Sequence, residues 1–215
     1  MAQVSVAPER IIRWMENFEH RHGASRLTVR DGGLRGDAED GSWFSARLPF
    51  DRGYDAQPAA AAFAAAATPP TDWGVLLVRK GGFAVARLRG GTMVEHKVGQ
   101  RHVQGRSKAG GWSQQRFARR RDHQAREAYQ AAADHAARIL GGLDGPLVTG
   151  GDRGAIRDVL ADPRLAPLRP VDRFLTVRDQ RRAALDAAVD AAAAVCVEVH
   201  NASGSARPTG LSSVE

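Results

Sequence analysis

The residues best suited to chemistry crowd into one stretch, Gln104 to Arg121, which reads QGRSKAGGWSQQRFARRR. A glutamine opens a loop in which Gly105, Gly110 and Gly111 permit positive φ and let the backbone approach a ligand closely. Arg106 and Lys108 place charge where no core can form. Ser113 offers an N-cap, and Arg116, Arg119, Arg120 and Arg121 fill the first turns of the helix that follows, where the macrodipole already presents partial positive charge to an anion. Cations concentrated there destabilise the helix unless a polyanion offsets them. The combination predicts an RNA-facing catalytic loop. Charge alone fits a solvated loop and a solvated helix face equally well, because a basic run is a weak signal.

Composition points the same way. The 215-residue chain carries a formal charge of +7 and a sequence pI near 10.6, a balance that favours a polyanionic partner, nucleic acid before membrane. Between Arg101 and Arg126 stand eight Lys or Arg residues against one acid, Asp122, so this segment holds as much net charge as the whole chain. Cys196, between Val195 and Val197, is the sole cysteine and reads as an inert buried thiol in a reducing cytoplasm. The N-terminus lacks an apolar signal core, and the alanine run 59–67 is too short to span a bilayer, so a soluble cytoplasmic protein without membrane attachment is expected. The seven histidines show no metal-ligand spacing; His20 and His22, two apart, would point in different directions on a helix.

The elements that must position the loop follow from pattern. After Pro8, the segment 9–22 places Ile11, Ile12, Trp14, Met15 and Phe18 at helical spacing and stops at Gly23. Short strands are predicted at 27–30 and 42–48 around an Asp-Gly-Gly turn. The Ala/Pro-rich tract 49–70 reads as a connection with a short helix at 59–67, or simply as a linker. Three strands then follow at 73–79, 83–88 and 92–98 as an antiparallel meander. A long helix over 113–140 comes next, then a strand at 146–149, a helix at 152–160, a strand at 171–177, a helix at 179–192 and a last strand or helix end at 194–199. The division expected is an N-terminal helix with short strands over 1–55, a connection over 56–72, a catalytic domain over 73–200 and a disordered tail over 201–215.

Three meandering strands, a helix, then alternating strand and helix is the order of an RNase H-like α/β layer: a mixed sheet with flanking helices, here with a small N-terminal α+β extension. A metal-dependent nuclease of that architecture needs acids on its first strand. WGVLLVRK has none, and Asp72 at its edge is the nearest candidate, so two-metal catalysis is not expected.

The run GRSKAGGWSQQRFARRR resembles the loop and helix of the central domain of archaeal and eukaryotic class-one peptide chain release factors. There a Gly-Gly-Gln tripeptide precedes a Ser-x-x-Arg-Phe-x-Arg-x-Arg helix, matched here by Ser113, Arg116, Phe117, Arg119 and Arg121. The element order extends the resemblance over 73–199. The tripeptide's glutamine is replaced by Trp112, which excludes a straightforward termination factor. The related Vms-like release factors (VLRF) place their glutamine earlier in the loop, in a Gly-x-x-Gln pattern followed by glycine. The matching stretch is His102, Val103, Gln104 and Gly105, with His102 in place of the first glycine. Length, Ala and Arg content and the N-terminal addition are most similar to the actinobacterial branch.

That resemblance implies a peptidyl-tRNA hydrolase of ribosome rescue and quality control, working on the large ribosomal subunit without metal or organic cofactor. It implies Gln104 as the residue that orients water, with Gly105 giving the backbone room at the tRNA end. Arg101, Arg106, Lys108, Arg116, Arg119 and Arg120 would hold RNA, while Gly110 and Gly111 would set the turn and Ser113 the cap. Trp112 would stack on a base or ribose, or anchor the loop. Gln100, Gln114 and Gln115 are the competing glutamines. The alternatives are a non-catalytic module recognising stalled ribosomes, cleavage of the tRNA 3′ end with His102 as acid or base, and a nonspecific RNA nuclease. Oligomeric state is not readable.

Overall fold

The computed structural model describes residues 1–100 and 112–202, with residues 100 and 112–125 described through their backbone alone. The tail expected over 201–215 lies outside the described residues from 203 onward. Two five-stranded sheets organise the chain.

The second sheet contains β5 (Trp73–Arg79), β6 (Gly82–Arg89), β7 (Thr92–Gln100), β8 (Pro146–Gly151) and β9 (Arg169–Leu175). Their order is β7-β6-β5-β8-β9, with β5, β6 and β7 antiparallel and β5, β8 and β9 parallel. This is the RNase H-like mixed sheet that the element order predicts. β5 reads as an unbroken apolar run because both its faces are covered. On one side α3 (Trp112–Leu140) and α4 (Arg153–Leu160) pack Ala132, Ala136, Ile139, Ile156 and Val159 against Leu76, Val78, Phe83 and Val85. On the other, α5 (Arg182–Ala193) sets Leu185, Ala188 and Ala192 against Val75, Leu77, Ala84 and Ala86.

The first sheet is β1-β10-β4-β3-β2, built from β1 (Ala2–Val6), β2 (Ser25–Arg30), β3 (Gly33–Ala38), β4 (Trp43–Arg47) and β10 (Val195–His200). Helices α1 (Ile11–His22) and α2 (Ala60–Ala66) cover one face, where Ile11, Met15, Phe18 and Phe63 meet Leu34, Phe44, Ala46 and Val197. The last strand, β10, pairs antiparallel with β1 and β4. One expectation is corrected here. Cys196 is not a buried thiol, because pleat alternation turns Val195 and Val197 into the core and leaves Cys196 half-buried on the other face beside Gln3.

Two consecutive non-glycine residues with positive φ, Phe50 (63°) and Asp51 (53°), join the sheets. The conformation is unfavourable for L-residues, and what it achieves is visible. Phe50 is buried in the second core, edge-on to Trp73 at 4.8 Å, and the Asp51 carboxylate accepts hydrogen bonds from the Asp172 and Arg173 amides of β9. That contact blunts an otherwise open sheet edge.

At the far end of the second sheet, Arg87 donates to both oxygens of Asp72 at 2.9 and 2.7 Å and also to the Gly141 and Gly142 carbonyls at the C-terminus of α3. A guanidinium completes the helix end and its carboxylate is bound bidentately. Replacing Arg87 by methionine is expected to cost about 1–3 kcal/mol in a denaturant melt at neutral pH. The Arg87 hydrogen bonds hold the Asp72 carboxyl below its usual range. The stabilisation is therefore complete above about pH 4 and lost as pH falls through the depressed value. The difference between wild type and variant should accordingly shrink on the acid side; a constant difference would mean that the ion pair does not carry it.

Candidate RNA-facing loop and its platform

The loop residues Arg101, Gln104, Gly105, Arg106, Lys108, Gly110 and Gly111 lie outside the described residues. What the structure defines is the frame that holds them. β7 ends at Gln100 and α3 starts at Trp112, so 101–111 joins the edge strand of the second sheet to its longest helix. Helix α3 runs from Trp112, so Ser113 stands in its first turn. Trp112, Ser113, Arg116, Arg119 and Arg120 all lie on this helix's N-terminal turns.

Packing fixes the strand from which the loop begins. Gly99 is the partner of Phe83 across β6 and β7, and an added Cβ at Gly99 would lie 2.3 Å from the Phe83 ring. The ring takes that space and stacks on His135 of α3, with centroids 5.4 Å apart and 27° between planes. Glu95 of β7 pairs with Arg138 one turn further along the same helix. Strand and helix are thus tied together on one side of the loop's origin. On α3's outer side, Arg164 bridges Asp134 at 2.6 Å and Asp162 at 2.7 Å. Hydrogen bonds from the Arg164 side chain and backbone hold Asp162 down at about 2.

Topology decides what else shares the loop's end of the sheet. Gly82 pairs with both Arg79 and Gln100, and Val78 pairs with Gly151. Hence β5, β7, β8 and β9 all finish at the same end, where crossover sheets present their sites. The exposed cations gathered there are Arg79, Lys80, Lys97, Arg153, Arg178, Arg181 and Arg182. The acids among them are engaged locally: Asp152 caps α4 by accepting from the Gly154 and Ala155 amides, and Asp179 accepts from the Arg181 amide. Arg79 donates to the Val177 and Arg178 carbonyls, at 2.5 and 3.1 Å, and so holds the 176–182 segment against the sheet. Arg182 reaches Asp186 at 2.8 Å and His96 of β7 at 2.8 Å, which brings the start of α5 beside the loop's strand. Sequence reading missed this rim because its members are scattered over a hundred positions. The rule that parallel strands end together was the signal available.

Asp72 sits at the opposite end of the sheet, occupied by Arg87, and no group of three or more His, Cys, Asp or Glu residues able to hold a metal occurs among the described residues.

An α/β sheet of this order, with a cationic end and a loop carried between its third strand and long helix, is matched by one family model, the Actinobacteria/chloroflexi VLRF1 release factor, over residues 71–198. The chain belongs to this family. The match to the VLRF1 release factors begins just before β5 and ends within β10, and so takes in the whole second sheet, the loop and α3. No curated protein matches the chain. Among solved structures, the crystal structure of the archaeal translation termination factor aRF1 is similar at 11% identity, covering 86% of this chain and 62% of that one, with a TM-score of 0.41. The chain thus spans less than two thirds of that protein. Among the described residues no helix is long and apolar enough to cross a membrane.

Proposed function

We propose that this VLRF1 release factor is a cytoplasmic peptidyl-tRNA hydrolase of ribosome rescue, which frees nascent chains held on stalled large subunits without a metal or organic cofactor. The observation that supports this best is the shared end of the sheet. The loop from 101 to 111 starts where seven exposed cations converge, a setting suited to ribosomal RNA and a tRNA end.

In this reading the Gln104 carboxamide orients a water molecule whose oxygen attacks the carbonyl carbon of the ester between peptide and terminal ribose. The new carbon–oxygen bond forms, the ester bond to the ribose breaks, and the leaving ribose oxygen takes up the proton that the water loses and becomes a hydroxyl. A neutral amide suits this task because it positions water without titrating; the rate gain comes from orientation and aimed dipoles. Gly105 gives the backbone room against the tRNA end, and Gly110 and Gly111 set the turn. Trp112 stacks on a base or ribose. Arg101, Arg106 and Lys108 neutralise phosphates beside the loop, and Arg116, Arg119 and Arg120 hold ribosomal RNA from the first turns of α3.

The test is release of labelled peptide from purified stalled ribosome complexes by the wild-type chain and by Gln104→Ala. Release by the wild type alone supports the hydrolase. Background release by both would leave a ribosome-binding module, and equal release above background would move the chemistry to another residue.

A further inference from the structure

The first sheet has a second face that no helix covers among the described residues, although its Arg47–Cys196 end meets the 48–53 segment and Asp172 and Arg173 of β9. Pleat alternation places on it Arg26, Thr28 and Arg30 of β2, Arg35 and Asp37 of β3, Trp43, Ser45 and Arg47 of β4, and Cys196, Glu198 and His200 of β10, opposite the face packed by α1 and α2. An antiparallel sheet can simply face water. The β2-β3-β4 half of this one is not neutral, however: it carries four arginines against Asp37, which Arg35 holds at 2.7 Å, while Arg30 lies 3.5 Å from Asp31 of the following turn and Glu198 of β10 shares the face.

At one end of the face, where β4 begins and β10 finishes, an aromatic ladder spans three strands. The Arg35 guanidinium lies over the Trp43 ring at 4.2 Å, and His200 stacks on Trp43 at 5.6 Å with 25° between planes. Arg35 meets Asp37 through its edge, as its Nε donates to the carboxylate at 2.9 Å, so the ladder is built of flat π faces standing on the sheet. Such ladders extend by stacking a further planar group. Arg26 lies in the same cross-strand row as Trp43 and His200, and Arg30 and Arg47 lie at the other end of the strands beyond the Thr28, Ser45 and Glu198 row, all three arginines exposed.

We propose that this open face is a binding surface for single-stranded RNA, separate from the loop of the second sheet. Unpaired bases stack on the Arg35–Trp43–His200 ladder while Arg26, Arg30 and Arg47 neutralise the phosphates. Single strands are the form that fits, since a duplex hides the base faces the ladder would engage. An acidic peptide would satisfy the arginines but leaves the ladder without a role.

The experiment uses the full chain and a short fluorescently labelled single-stranded RNA, with affinity read by anisotropy over a range of salt concentrations. Arg26→Glu with Arg30→Glu, on an exposed edge strand where folding is not at stake, should weaken binding about tenfold or more and make the log–log salt slope shallower by about one per arginine. Trp43→Leu should weaken it by about tenfold with little change in salt slope, its fold checked by a thermal melt. Photocrosslinking of thiouridine-containing RNA should label peptides from β2 to β4. The proposal is overturned if the folded double-arginine and Trp43 variants bind like wild type. It is equally overturned if the same RNA annealed to its complement competes as well as the single strand, or if polyglutamate displaces it at matched charge. None of these readouts involves ester hydrolysis, so failure of the release assay leaves this test unaffected.

Discussion

Gln104→Ala is expected to lower single-turnover release of nascent peptide about 100-fold or more, the loss typical of removing one aimed donor from a site built for developing charge. Binding to the stalled complex should change little, because a carboxamide contributes little to a contact dominated by phosphates. Gln100→Ala, Gln114→Ala and Gln115→Ala are the necessary controls and should each retain most of the activity. The pH profile adds a second discrimination. A carboxamide does not titrate, so the rate should show no inflection traceable to the enzyme between roughly pH 6 and 8, whereas chemistry resting on His102 would show one there. Gln104→Glu should also lose most of the release rate, since a carboxylate repels the negative charge that develops on the ester oxygen. An active Gln104→Glu would indicate general-base catalysis in place of water positioning.

Gly99→Val is expected to injure both stability and release. The residue is extended, so backbone strain is not the issue; occupancy is. A Cβ at this position falls 2.3 Å from one Phe83 ring carbon and 2.6 Å from another, and Phe83 is itself buried between β7 and His135. The ring must leave its stack on α3, at an overpacking cost of about 1–3 kcal/mol. That lowers Tm by roughly 3–10 °C in a chain of this size. Since Gln100 follows directly, the start of the loop moves with the strand, and a displacement of about 1 Å can cost two orders of magnitude in a reaction that depends on positioning. Phe83→Leu in the Gly99→Val background should restore part of the lost stability by vacating the space. Restored Tm without restored release would separate packing from positioning, and a wild-type melt for Gly99→Val alone would refute the contact.

The second sheet was largely legible because its signals are strong. β5 and β6 are largely apolar, β5, β6 and β7 are set apart by Gly81-Gly82 and Gly90-Gly91, and α3 keeps helical spacing through Ala132, Ala136 and Ile139. The first sheet was harder. β1, AQVSV, alternates apolar and polar residues, but over only five positions of which four are exposed, too short a run to mark a strand by itself. β3, GLRGDA, reads as turn material because of its two glycines; in the fold Gly36 is required beneath the Phe44 ring, which would lie 2.3 Å from an added Cβ. The partners of β10 were not legible, since periodicity reports a strand's faces but not its partner. The loop's glutamine and cations were readable as residue types, while the rim of Arg79, Arg178 and Arg182 exists only once the strand ends are brought together.

The placement of β10 bears on how the molecule is born. The strand that separates β1 from β4 is synthesised after every other strand of both sheets, so β1 has no neighbour to zip onto until nearly all of the chain has emerged. The α/β layer can condense during translation, whereas the N-terminal segment waits, half assembled, for the arrival of Val195–His200. A chain whose synthesis stopped late would therefore carry this sheet incomplete.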